Sequence, residues 1–212
     1  ILFSGGLDTK FLEIKPIIYP GIILATGGVV LTALFTGFFI WWLSGALAPS
    51  LGIGLATALL LASTTSSTDS ASVFGILRSR GTILKNNLRP MLELESGSND
   101  PMAYMLTVTL ITIINSGGIS FWHVALMVIV QLVVGALVGY YFGKASVVLI
   151  NRIKLDNEAL YPILLFTLGM FVFSLTYFLK GNGYLAIYFA GLVIGDSKFV
   201  HNRPSLRFMD GL

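Results

Sequence analysis

Asp69, Glu93, Glu95 and Asp100 all lie inside apolar stretches long enough to cross a bilayer. A carboxylate in hydrocarbon costs about 2.5–3.5 kcal/mol on insertion scales, so such residues persist where they face a bundle interior or a wet cavity. No Lys or Arg stands near the middle of these stretches. The expected counter-charges are protons, transported cations or basic groups outside this sequence.

Two polar clusters hold these carboxylates. The first is Ser63-Thr64-Thr65-Ser66-Ser67-Thr68-Asp69-Ser70, eight polar residues in a row. Ser and Thr hydroxyls bond to nearby carbonyls and so bend or loosen a helix. Irregular backbone at membrane depth is tolerated only inside protein or beside water. Broken helices of this kind offer carbonyl oxygens and helix-end dipoles to ions. Hard cations favour oxygen ligands. The bland alternative is a buried packing helix with back-bonded hydroxyls, and Asp69 speaks against it.

The second cluster is Glu93-Leu94-Glu95-Ser96-Gly97-Ser98-Asn99-Asp100-Pro101. Helical spacing puts Ser96 and Asp100 on one face, with Glu95 and Asn99 on the adjacent stripe. Glu93 points elsewhere and is expected to meet a different neighbour. Pro101 cannot donate to the carbonyl of Gly97, which is left free beside Asp100. A carboxylate, a hydroxyl, an amide and a spare carbonyl are thus expected to converge at the depth of Asp69. Burial raises a carboxyl pKa and a bound cation lowers it. Asp100 can then take a proton or a cation, but not both well, which is the competition that proton-coupled exchange requires. Glu93 and Glu95 are read instead as structural, paired with basic groups outside this sequence.

The elements that position these groups follow from composition. The chain is 55% hydrophobic and 11% charged, with a mean hydropathy of +0.86. Soluble domains average about 25% charged residues, so an all-α integral membrane protein is expected. Six spans are read, at 17–43, 51–77, 90–114, 121–150, 159–179 and 183–196. The last is short. Pro20, Pro49 and Pro90 suit helix starts. Gly135, Gly139 and Gly143 repeat every four residues, a spacing that lets helices approach closely. Intramolecular packing is the favoured reading of that stripe, and a dimer face the other.

Positive charge alternates between loops. Lys10 and Lys15 precede the first span, Arg78, Arg80, Lys85 and Arg89 fill the second link, Lys144, Arg152 and Lys154 sit at the fourth, the fifth has only Lys180, and Lys198, Arg203 and Arg207 follow the last span. Positive loops stay inside, so both visible ends are expected on the cytoplasmic side. The net charge of +3 then reports orientation and does not point to nucleic acid. There is no cysteine, which excludes disulfides and thiolate chemistry. Enzyme chemistry has no support. His123 opens a span and His201 lies in the charged tail, so neither can serve Ser66 or Ser96 as a base, and no His-Glu-x-x-His motif is present. A cation channel lacks a filter sequence. Without an initiator Met, the chain is expected to be a fragment of a longer polypeptide.

The run Ser66-Ser67-Thr68-Asp69-Ser70-Ala71-Ser72-Val73-Phe74 and the run Leu92-Glu93-Leu94-Glu95-Ser96-Gly97-Ser98-Asn99-Asp100-Pro101-Met102-Ala103 resemble the monovalent cation:proton antiporter superfamily. Within its first, NhaP-like family they are similar to the potassium/proton antiporters called cell volume regulation protein A. The likeness extends over Gly5–Thr9, Leu24–Val29, Gly183–Ala186, Ala190–Leu192 and Arg207–Leu212. It implies an inverted-repeat fold of about thirteen helices with two crossed, partly unwound helices. It implies a homodimer in the bacterial inner membrane, with roles in pH homeostasis and cell volume regulation. It implies transported Na⁺ or K⁺ and H⁺, and no cofactor.

Residue by residue, the resemblance makes Asp100 the cation and proton carrier, with Asn99 before it. Thr68 and Asp69 match the Thr-Asp motif of the first unwound helix, and Ser96 a cation-coordinating hydroxyl. The monovalent cation is expected at Asp100, Ser96 and Asp69. Glu95 matches a glutamate paired with an arginine in the second half of the core, which this sequence lacks. The isolated chain is therefore not expected to transport. The Asn-Asp pair implies electroneutral exchange, with an electrogenic carrier or a channel as alternatives. Residues 1–16 are expected to be the end of a preceding helix and a cytoplasmic loop. Residues 17–114 are expected to give three helices of the ion-binding core, and 115–212 a linker helix, dimerisation-domain helices and a cytoplasmic tail. Ser70 and Ser72 stand where close relatives often have Ala.

Overall fold

The computed structural model describes residues 1–79, 84, 85, 87–118, 120–153, 155, 157 and 160–197. The expectations for Arg80, Lys154, Lys198, His201, Arg203 and residues 207–212 lie outside the described residues. All regular elements among the described residues are helical. A short α1, Leu2–Asp8, precedes α2, Phe11–Leu47. The polar run splits the next span into α3, Leu55–Ser63, and α4, Ser70–Ser79. Then come α5, Leu88–Asn115, α6, Phe121–Arg152, α7, Leu160–Phe178, and α8, Gly183–Gly195.

By length and apolarity α2, α6 and α7 can each cross a bilayer. The other expected spans depart from the simple pattern for physical reasons. The α3–α4 span is interrupted. The α5 span is 28 residues long but carries the carboxylates. At 13 residues, α8 is about 20 Å long, against about 30 Å of hydrocarbon.

The first span begins at Phe11, earlier than the expected 17. Pro20 does not start it. A 3₁₀ turn at Lys15–Ile17 holds Pro16, and a π turn follows at Leu24–Gly28. The helix continues through both turns, with Pro20 in the α-helical stretch Ile18–Ile23 between them. Pro49 likewise sits in a separate 3₁₀ turn, Pro49–Leu51, closed by Gly52 at φ +58°. Of the three prolines expected at helix starts, Pro90 alone stands in the first turn of its α-helix, α5.

Two apolar clusters organise the packing. One joins Phe3 and Leu7 of α1 with Val138 of α6, Leu165 and Val172 of α7, and Ala190 and Ile194 of α8. The other joins Ile14 and Ile17 of α2 with Leu94 of α5 and Tyr188 of α8. At the centre, α8 is apolar on all sides, as a surrounded helix must be.

Glycines let its neighbours close in. A Cβ on Gly139 of α6 would stand 2.5 Å from the Ala186 carbonyl oxygen, and one on Gly135 2.8 Å from that of Asn182. On the opposite side, a Cβ on Gly191 would stand 2.5 Å from the Phe3 carbonyl oxygen. The four-residue glycine repeat of α6 is therefore a packing face within the chain.

Gly139→Ala is expected to destabilise the protein by about 1–3 kcal/mol, because the obstructing atoms are backbone and cannot rotate away. Thermal unfolding in detergent measures this. An unchanged melting temperature would show that α6 and α8 are not so closely apposed.

Candidate ion-binding site

The break between α3 and α4 is made by its own hydroxyls. Thr64 Oγ1 donates to the Leu61 carbonyl at 2.8 Å, and Thr65 Oγ1 to that of Ala62 at 3.1 Å. Ser66 Oγ donates to the Ser63 carbonyl at 2.8 Å. The Ala62 and Ser63 carbonyls also accept the backbone N–H groups of Thr65 at 3.2 Å and Ser66 at 3.4 Å, the i to i+3 pattern of a tightened last turn. Ser63 bonds to the Leu60 carbonyl and also meets Thr107 Oγ1 of α5 at 2.9 Å.

Across the gap, Asp69 starts α4. Its Oδ1 accepts from the backbone N–H of Ala71 at 3.0 Å and of Ser72 at 3.4 Å, and its Oδ2 accepts from Ser72 Oγ at 2.5 Å. This is N-cap geometry. Among the described residues Asp69 makes no direct hydrogen bond to Ser96 or Asp100, and its carboxylate is turned back onto its own helix.

The residues on either side of Asp69 do reach α5. Thr68 Oγ1 lies 3.3 Å from Ser96 Oγ, and Asn99 Nδ2 donates to Thr68 Oγ1. Ser70 Oγ donates to Asp100 Oδ2 at 2.8 Å. Within α5, Glu95 Oε1 accepts from Asn99 Nδ2 at 3.0 Å, and Oε2 from Ser96 Oγ at 3.3 Å. Ser96 and Asn99 are fully buried, and Asp100 is half-buried. The Asn99 Oδ1 atom is buried with no hydrogen-bond partner. Here Thr68, Ser96, Asn99 and Glu95 form one linked group, with Asp100 and Ser70 alongside.

Tyr188 of α8 closes one side of the helix at this level. Its ring rests on Gly97, where a Cβ would overlap it. The donor set is therefore the carboxylates of Glu95 and Asp100 with neutral hydroxyl and amide oxygens, which suits a hard cation or a proton.

Glu93 corrects an expectation. It is buried, and its partner lies within the chain: Arg89 Nε donates to Glu93 Oε1 at 2.9 Å, one helical turn earlier. The arginine stands at the start of α5, outside the apolar centre where a counter-charge was sought. Glu95 has no ion-pair partner among the described residues.

Sequence reasoning did not assign Ser70 a role, although it is the donor to Asp100. It also passed over Asn182, whose Nδ2 donates to the Pro101 carbonyl at 2.8 Å. For Ser70 the only signal was its place in the polar run. For Asn182 there was none, since 81 residues separate it from its partner.

A helical bundle with a broken apolar helix laid against a carboxylate-bearing one is an integral, multi-pass membrane protein. The chain belongs to the sodium/hydrogen exchanger family, whose transmembrane region matches residues 1–209. It is 36% identical over 212 residues to the K(+)/H(+) antiporter NhaP of Alkalimonas amylolytica, covering 100% of this chain and 36% of that protein. It is 35% identical over 214 residues to the K(+)/H(+) antiporter NhaP2 of Shewanella oneidensis, again 100% of this chain and 36% of the relative. The Na(+)/H(+) antiporter NhaS2 of Synechocystis is 29% identical over 210 residues, 98% of this chain and 36% of its own. The chain thus spans 36% of the length of these curated relatives.

The capping geometry makes a prediction for Asp69. Asp69→Ala removes the acceptor for Ala71 and Ser72 and is expected to lower the melting temperature by a few degrees. Asp69→Asn keeps a good cap and is expected to melt near wild type. Equal losses in both variants would show that the charge of Asp69 matters beyond capping.

Proposed function

We propose that this chain carries half of the ion site of a monovalent cation/proton antiporter, with Asp100 alternately holding a proton and the cation. The observation that carries the reading is Asn99 Oδ1. It is a buried oxygen with no partner, one residue from Asp100 and within a group that includes the hydroxyls of Thr68 and Ser96. Burying an unpaired acceptor is unfavourable, and a transported cation or its water would satisfy it. The family and the K⁺/H⁺ and Na⁺/H⁺ relatives support the same reading.

The chemistry follows from the donors. Ser70 holds Asp100 Oδ2, and among the described residues Oδ1 accepts no hydrogen bond. A proton on Asp100 neutralises it and weakens its hold on a cation. A cation beside it expels the proton. One charge is exchanged for one, which makes the cycle electroneutral. Ser96, Thr68 and Asn99 contribute neutral oxygens. Asp69 contributes as the cap that fixes Thr68 and Ser70, and Glu95 as the group that holds Asn99 and Ser96.

In this reading residues 17–114 belong to the ion-binding core and 115–212 to the linker and dimerisation helices of a homodimer in the bacterial inner membrane, with cytoplasmic ends. The exposed aromatic residues of α2, including Phe35, Phe39 and Trp42, suit lipid contact.

Proteoliposomes of the whole protein, under an imposed pH gradient with a pH dye, test this. Addition of K⁺ or Na⁺ is expected to collapse the gradient whether or not the membrane potential is clamped. A response that follows the clamped potential would make the protein a channel or an electrogenic carrier. Asp100→Asn is expected to abolish exchange while the protein still folds, and full activity in that variant would remove Asp100 from the carrier role. Ser70→Ala leaves Asp100 Oδ2 without its hydroxyl donor and is expected to lower the exchange rate severalfold while the protein still folds. An unchanged rate would separate Ser70 from the reacting group.

A further inference from the structure

Asn182 is fully buried at the start of α8 and bonds in three directions. Its Oδ1 accepts from the Leu185 N–H at 3.1 Å and caps α8. Its backbone N–H donates to the Gln131 carbonyl of α6 at 3.0 Å. Its Nδ2 crosses to α5 and donates to the Pro101 carbonyl at 2.8 Å. Two of these bonds fasten Asn182 to α6 and α8, which also close on each other through Gly135 and Gly139. The third reaches the residue that follows Asp100.

We propose that Asn182 is a positioning residue that ties the Asp100-bearing helix to the α6–α8 unit in one of the two orientations of the transport cycle. The proposal rests on the antiport reading. Alternating access moves one bundle against another around the ion site. A directional bond between α5 and α8 holds in one orientation and breaks in the other. Breaking it leaves a buried amide N–H₂ without its acceptor, and that loss biases the equilibrium toward the tied orientation. The apparent affinity for a cation on either side scales with the fraction of protein facing that side. The tie therefore sets the ratio of the two apparent affinities.

The test uses the whole protein in proteoliposomes, with the cation KM measured from each face. Asn182→Ser keeps a capping oxygen but is too short to reach the Pro101 carbonyl. It is expected to melt near wild type and to change the ratio of the two KM values about fivefold, the effect of one ordinary hydrogen bond. A capping role alone predicts an unchanged ratio, and that result would overturn the proposal.

Asn182→Asp provides a second measurement should the serine variant fold poorly. Its carboxyl, when protonated, can still donate to Pro101, so its KM ratio is expected to approach wild type at low pH and depart from it as pH rises. A departure that does not vary with pH would also overturn the tie. Wild-type protein that showed no cation-driven proton flux would instead bring down the antiport reading and the tie together, whereas active wild type with an unchanged ratio in Asn182→Ser removes the tie alone.

Discussion

A helix that stops inside hydrocarbon must satisfy its backbone without water. This constraint governs the centre of the chain. Where α3 ends, hydroxyls of Ser63 through Ser66 bond to last-turn carbonyls. Where α4 begins, Asp69 takes the first N–H groups. The break is thereby closed on both sides by local side chains. Thr68 and Ser70 are left over from that task. They flank Asp69, and their hydroxyls turn to α5 while its carboxylate turns to α4. The site and the cap are thus two products of one short segment, and the polarity of the run is needed for both.

The amide of Asn99 depends on the same network. Glu95 Oε1 accepts from Asn99 Nδ2, so the N–H₂ side of Asn99 faces it. That choice turns Oδ1 away from Glu95 and leaves it unpaired. Glu95 therefore acts on the donor set through orientation, whatever charge partner it has elsewhere. Its bond to Ser96 extends the same control to a second oxygen. The continuity of α5 through Pro101 keeps these groups in helical register, which an unwound segment would not do.

Much of this was legible in the sequence, and the losses have a common cause. Eight polar residues inside an apolar stretch revealed the broken helix, because no intact lipid-facing helix accommodates them. The spacing of Glu95 and Asn99 revealed their contact, because positions four apart share a face. The repeat of Gly135, Gly139 and Gly143 revealed a close helix pair. Depth along the membrane could be read in this way, but direction around a broken segment could not. The hydrogen bonds of Asp69 to Ala71 and Ser72 were not foreseen, because only the fold shows which way its carboxylate turns. Ser70 lay in plain view without a partner because only the crossing with α5 supplies one. The ion pair of Arg89 and Glu93 was missed because a counter-charge was sought at mid-span. The first span was begun too late because prolines were read as starts, when the helix runs past Pro16 in a 3₁₀ turn and past Pro20 in an α-helical stretch.

The packing of α8 determines where α5 can move. Glycine contacts with α6 on one side and α1 on the other bring backbone against backbone, and such surfaces do not slide without clashing. The face toward α2 and α5 differs in kind. There the ring of Tyr188 rests on Gly97, with Leu94, Ile14 and Ile17 around it. Contacts of this type are non-directional and individually weak, so a modest displacement exchanges one set for another at small loss. A hydrogen bond in that interface behaves differently, since it is lost over a fraction of an ångström. With apolar contacts around Tyr188 and a directional bond from Asn182 to the Pro101 carbonyl, the boundary between α5 and α8 suits the two-position contact proposed above. The residue adjoining that bond is Asp100, so in the proposed cycle a change of charge at Asp100 falls beside the contact.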